Sequence, residues 1–167
     1  IIGDAGMALQ AAKTAGGNRA QQYAPSLRRD FETLQKLQQE LPDAIANGQL
    51  EPWFQPQIRL SDGKIHGAEV LARWRHPIHG LLSPDKFLPA AVRAGLMIDL
   101  DHAIWQSAMR HVRQWQSAGS TIPHISLNAA PETISDPHLI ERFLLLLHLS
   151  GLCADQIVIE VLETTVI

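Results

Sequence analysis

The chain has 167 residues, 46% of them hydrophobic and 19% charged, which suits one ordinary domain or pieces of two, is enough to build a core and does not suggest disorder. A formal net charge of −3 offers no basic footprint for a nucleic acid polymer, and the single cysteine, Cys153, excludes an internal disulfide and suits a reducing compartment. The longest apolar run, Phe143–Leu147, is too short to cross a bilayer, and the start at Ile1 shows no secretion signal. With no initiator methionine and an abrupt stop at Ile167, the sequence reads as a piece cut from a longer protein.

Residues 4 to 18 predict an amphipathic helix with Ala5, Ala8, Leu9 and Ala12 apolar, ended by Gly16-Gly17-Asn18. A second helix follows over residues 24 to 48, with Ser26 as its candidate cap and Leu27, Phe31, Leu34, Leu37 and Leu41 as its apolar stripe. It reads as a linker helix, kinked or restarted at Pro42 and ended by Asn47-Gly48. Residues 50 to 60 are strand-like, and Ser61-Asp62-Gly63-Lys64 is a hairpin signal, so the strand before it and the strand after it should be antiparallel.

Beyond Ser83-Pro84, which places a cap and a first-turn proline, strands and helices alternate. The helices are expected over residues 85 to 94 (bent at Pro89), 98 to 115 and 136 to 150, and the strands over 122 to 127 and 157 to 161. Such alternation points to a parallel α/β sheet or barrel. The eight histidines show no zinc-site spacing, and His76 and His79 are expected in loops or on the surface.

The segment Lys64 to Trp74 reads as a buried strand carrying an acid. Glu69, Leu71 and Arg73 alternate and therefore share one face. A buried carboxylate and guanidinium need a partner or a job, and an internal Glu69–Arg73 ion pair is the simplest alternative. Two more strand-like runs end in oxygen donors, one at Asn128 and one at Glu160. Donors at strand carboxyl ends are where an α/β barrel builds its active site. Two carboxylates and a carboxamide form a hard set suited to Mg²⁺ or Mn²⁺ rather than zinc.

These same residues carry a resemblance. Glu69-Val70-Leu71-Ala72-Arg73 resembles the E-[AV]-L-x-R signature of EAL-domain cyclic di-GMP phosphodiesterases. Trp53-Phe54-Gln55-Pro56-Gln57, Arg73-Trp74-Arg75-His76-Pro77, the run Gly80 to Pro89, Ser126-Leu127-Asn128 and Glu160-Val161-Leu162-Glu163 follow in the family's order. Residues 4 to 18 are similar to the last helix of GGDEF domains, with Lys13 kept and Gly17 standing where that family usually has arginine.

The resemblance implies a TIM-like (β/α)8 barrel of EAL type with an antiparallel first strand, present here as its N-terminal half. The implied division is a GGDEF-like end over 1–23, a linker helix over 24–48 and the half EAL domain over 49–167. The implied activity of the parent protein is hydrolysis of cyclic di-GMP to linear pGpG, with Mg²⁺ or Mn²⁺ held by Glu69, Asn128 and Glu160. Arg73 matches a residue that contacts the substrate phosphate, Gln55 a glutamine that seats the nucleotide, and Glu163 a glutamate that steadies a loop bearing later ligands. Glu69 and Glu163 are the catalytic candidates.

Ala130, Val92 and Leu162 depart from the family's usual serine or threonine, glutamate and threonine, yet none replaces a visible ligand. Because such a barrel needs about 250 residues, a polypeptide ending at Ile167 is expected to be inactive alone. Rival readings are a degenerate EAL domain that acts as a cyclic di-GMP receptor or protein-interaction module, and an unrelated metal-dependent barrel enzyme. The implied setting is cytoplasmic, with GGDEF and sensory domains upstream, and it leaves room for a homodimer through the EAL domain and for a membrane anchor ahead of it.

Overall fold

A computed structural model describes residues 5–6, 8–9, 12–13, 16–18, 20, 22, 24–120 and 122–161. Ala5, Gly6, Ala8, Leu9, Ala12 and Lys13 are helical, and the Gly17 N–H meets the Ala12 carbonyl at 2.9 Å, as a helix ending there requires. The next helix, α1 (Pro25–Ala46), starts one residue earlier than its expected cap, because Pro25 occupies the first turn and Ala24 is the N-cap. It also runs unbroken through Pro42. A proline inside a helix costs about 3 kcal/mol, but Leu37, Leu41 and Ala44 around it are 2%, 0% and 0% exposed. Burying two leucines returns about 1.5–3 kcal/mol each, so packing holds the helix together.

Strands β1 (Leu50–Ile58) and β2 (Ile65–His76) pair antiparallel, as the Asp-Gly turn demands. Gly63 takes φ 69° there, and its N–H closes onto the Arg59 carbonyl at 2.9 Å. That left-handed conformation is nearly free for glycine alone. A short β3 (Gly80–Leu82), not anticipated from the sequence, folds back on the end of β2. Helices α2 (Pro84–Ala94) and α3 (Met97–Ser117) lead to β4 (Ile125–Ala129), which pairs parallel with β2. A further turn of helix, α4 (Pro131–Ile134), precedes α5 (Leu139–Ser150), and β5 (Ile157–Val161) pairs parallel with β4.

The result is a five-stranded sheet in the order β1-β2-β4-β5, with β3 on β2. The mixed α/β sheet with a reversed first strand is of the kind expected for an EAL-type, TIM-like barrel. Alternation divides it into two faces. Leu50, Ala68, Val70, Trp74, Ile125, Leu127 and Ala129 are buried and form one core with Phe87 of α2, Leu100, Ile104, Trp105 and Ala108 of α3, and Leu147 of α5. An edge-to-face contact of Trp74 with Phe87 (5.9 Å) keys α2 to that face, and one of Trp105 with Phe143 (5.8 Å) joins α3 to α5. The opposite face carries Gln55, Glu69, Leu71, Arg73, Ser126, Asn128 and Glu160. No helix among the described residues is long and apolar enough to cross a membrane.

His76 corrects its expected place. It is buried at 3% exposure, with Nε2 on Glu40 of α1 at 2.8 Å. Its Nδ1 accepts from the backbone N–H groups of Ile78 (3.1 Å) and His79 (3.2 Å), so the proton sits on Nε2 and is donated to Glu40.

Candidate active site

The sheet register assembles the expected donors. Gln55 on β1 is the direct cross-strand partner of Glu69 on β2, and Asn128 on β4 is the partner of Glu160 on β5. Glu69 lies in the middle of β2, but the pairing of β2 with β4 ends one residue later, at Val70 and Leu127. All three donors therefore sit where the parallel pairing runs out towards the strand carboxyl ends.

Side chains join across that gap. The Asn128 Nδ2 donates to Glu69 Oε1 at 3.1 Å and approaches the Val70 carbonyl at 3.5 Å. No ion pair joins Glu69 to Arg73 among the described residues, so the simple alternative is not formed. Arg73 instead donates from Nη1 to the Ala72 carbonyl at 2.9 Å and lays its guanidinium over the Trp53 ring at 5.6 Å. A guanidinium held by one carbonyl and one ring keeps most of its five donors for a ligand. The neighbouring Arg75 takes the carboxylate on β1, pairing with Glu51 (Nη2–Oε2 2.9 Å) and holding its carboxyl below the usual range.

Between the diverging ends of β2 and β4 lies a cavity of about 480 Å³, lined by Glu69, Leu71 and Asn128 and, on the helix side, by Met97, Asp101 and Trp105. It is mostly apolar with a few polar groups, the usual make-up of a small-molecule site. Glu163 lies outside the described residues.

Asp101 and Trp105 were invisible as site residues in the sequence. Asp101 is 7% exposed and accepts from the Ala130 N–H (2.8 Å) and the Thr133 hydroxyl (2.6 Å). Burial pushes its carboxyl above the ordinary value, against the lowering effect of those two bonds. The available signal was an acid inside the otherwise apolar stripe Met97, Leu100, Ile104, Trp105, Ala108.

The donor set fits a hard cation. No group of three or more His, Cys, Asp or Glu side chains suited to a metal occurs among the described residues. Glu69, Asn128 and Glu160 supply oxygen alone, which Mg²⁺ and Mn²⁺ accept and zinc seldom takes.

The family model described as EAL domain matches residues 38–167 of the chain. The chain belongs to the EAL domain family. Among curated relatives, the cyclic di-GMP phosphodiesterase NbdA of Pseudomonas aeruginosa is 34% identical over 164 residues, which is 98% of this chain and 21% of that protein. MucR of the same organism, a bifunctional diguanylate cyclase and cyclic di-GMP phosphodiesterase, is 30% identical over 97% of this chain and 24% of its own length. This EAL chain thus spans about a fifth to a quarter of these relatives. The solved MucR phosphodiesterase in complex with c-di-GMP superposes with a TM-score of 0.72 at 30% identity, over 78% of this chain and 53% of that one. The FimX EAL domain of Xanthomonas citri, in complex with c-diGMP, shares the fold at a TM-score of 0.71 and 20% identity, over 83% of this chain and 53% of that one.

Proposed function

We propose that the protein containing this EAL domain hydrolyses cyclic di-GMP to linear pGpG with Mg²⁺ or Mn²⁺, held on this side of the barrel by Glu69, Asn128 and Glu160. The observation that carries the reading is the Asn128–Glu69 bond beside the cavity, with Glu160 in register with Asn128. It brings donors from β2, β4 and β5 to one face, and relatives with phosphodiesterase names support the same chemistry.

In the reaction, water adds to phosphorus, the P–O3′ bond breaks, and the water's proton leaves on the released 3′ hydroxyl. Divalent cations, when bound, supply a more acidic water and neutralise charge on the phosphoryl oxygens. Arg73 contributes an always-charged fork to the phosphate, pre-set by Trp53 and the Ala72 carbonyl. Gln55, exposed across from Glu69, offers a carboxamide to the nucleotide. Glu163 completes the catalytic candidates by steadying a following loop. Residues 1–23 as a GGDEF-like end and residues 24–48 as a linker, in a cytoplasmic signalling protein, form part of the same reading.

The test is turnover of cyclic di-GMP by the full-length protein with Mg²⁺ or Mn²⁺, following pGpG by chromatography, beside Glu69→Ala. Product from the wild type alone supports the enzyme. Binding of the dinucleotide without product replaces it with a receptor.

A further inference from the structure

The backbone row on the side of β4 that faces β2 begins with the His124 carbonyl, which accepts from the Ala68 N–H at 3.1 Å. The same row continues with the Asn128 carbonyl and the Ala130 N–H, because strand residues two apart point the same way. By then β2 has left: its pairing ends at Val70. Two backbone groups beside the candidate donor would lose their partners at the point where the cavity opens, and such groups are costly to leave unmade.

Helix α3 takes over the row. Trp105 Nε1–H donates to the Asn128 carbonyl at 3.0 Å, and Asp101, one turn earlier, accepts the Ala130 N–H at 2.8 Å. A third bond, from the Thr133 hydroxyl to the same Asp101 oxygen at 2.6 Å, ties in α4. The bonds fix two successive peptide planes directly after Asn128. Trp105 is 1% exposed and wedged against Phe143, so its indole has little freedom.

We propose that Asp101 and Trp105 are positioning residues for Asn128: they hold its backbone so that its side chain meets Glu69 and presents its oxygen to a divalent cation. This rests on the functional reading above in taking Asn128 as a ligand. Groups that orient a ligand typically carry tenfold to a hundredfold of metal affinity. A purely structural role would lower thermal stability and leave affinity alone.

The experiment titrates Mn²⁺ against the full-length protein without substrate, following free Mn²⁺ by electron paramagnetic resonance well below the unfolding temperature. The proteins compared are the wild type, Trp105→Phe, Asp101→Ala and the conservative Asp101→Asn, which keeps an acceptor oxygen. Met109→Leu, a core change on the same helix, controls for packing, and Thr133→Val replaces any variant that fails to fold. The expected result is Mn²⁺ affinity at least about tenfold weaker in Trp105→Phe and Asp101→Ala, partly restored in Asp101→Asn and unchanged in Met109→Leu. Affinities within about twofold of wild type in folded variants, or no Mn²⁺ binding by the wild type, would overturn the proposal. A wild type that binds Mn²⁺ but does not hydrolyse cyclic di-GMP removes the functional reading, while the affinity ratios still decide the positioning role.

Discussion

The amide of Asn128 and the carboxylate of Glu69 are hydrogen-bonded at 3.1 Å although 59 residues of chain separate them. Only the parallel pairing of β2 with β4 brings them together, so the contact is a product of the fold. Because the two act as one unit, their losses should not add. Glu69→Ala and Asn128→Ala in the full-length protein are each expected to lower the rate of pGpG formation more than about 100-fold, beyond what a merely orienting group carries. The double variant should fall little further. Initial rates at saturating Mn²⁺ check this, and multiplicative losses would mean the pair works separately.

Arg73 is held by a carbonyl and a ring rather than by a carboxylate. Arg73→Lys keeps the charge and loses the planar fork. A charge-assisted bond is worth about 1.5–3 kcal/mol, so KM for cyclic di-GMP should rise roughly 10- to 100-fold with kcat changed much less. Steady-state kinetics separate the two constants. A fall confined to kcat would place Arg73 on the transition state instead.

The His76–Glu40 contact joins a side chain 1% exposed to one 44% exposed. Removing the imidazole strands two backbone N–H groups in a turn and should cost about 1–3 kcal/mol. Removing the half-exposed carboxylate strands one imidazole N–H, which water can reach from that side, and should cost less, about 1 kcal/mol. Urea unfolding of His76→Ala and Glu40→Ala is expected to rank them in that order, and the reverse ranking would show that the hydrogen bond to Glu40, not the turn, is what His76 maintains.

Burial holds the His102 imidazole below its ordinary value, Arg142 of α5 adds to this, and Asp136 and Asp99 oppose it. The folded chain therefore refuses a proton that the unfolded chain takes up below about pH 6.5. Stability contributed by neutral His102 is full above that pH and is lost as acid is added. Thermal melts between pH 5 and 8 should show a shallower acid loss in His102→Gln than in wild type. Parallel curves would assign the acid sensitivity elsewhere.

Much of this was legible in the sequence for local reasons. The Asp-Gly turn dictated an antiparallel β1–β2 pair, and Glu69, Asn128 and Glu160 were conspicuous because polar donors interrupt apolar strands. Other features were hidden, β3 among them. Pro42 looked like a break, because the sequence does not show how tightly Leu37 and Leu41 would be buried around it. His76 resembled a loop residue until Glu40, far back in the chain, met it. Asp101 and Trp105 fell within the buried stripe of α3 and read as packing, and their role appears only once β2 and β4 diverge. Local chemistry was readable, whereas partnerships made by tertiary packing were not.

The reversed first strand also decides where α1 arrives. Were β1 parallel to its neighbours, the helix before it would reach the far rim of the sheet. Instead Leu50 lies opposite Trp74, Gln49 accepts from the Arg75 N–H at 2.8 Å and from the Trp74 indole at 3.1 Å, and Glu40 grips His76. The helix is thereby fastened to the strand end that carries Arg73. Whatever precedes β1 is thus anchored beside Arg73, on the same end of the sheet as the gap between β2 and β4.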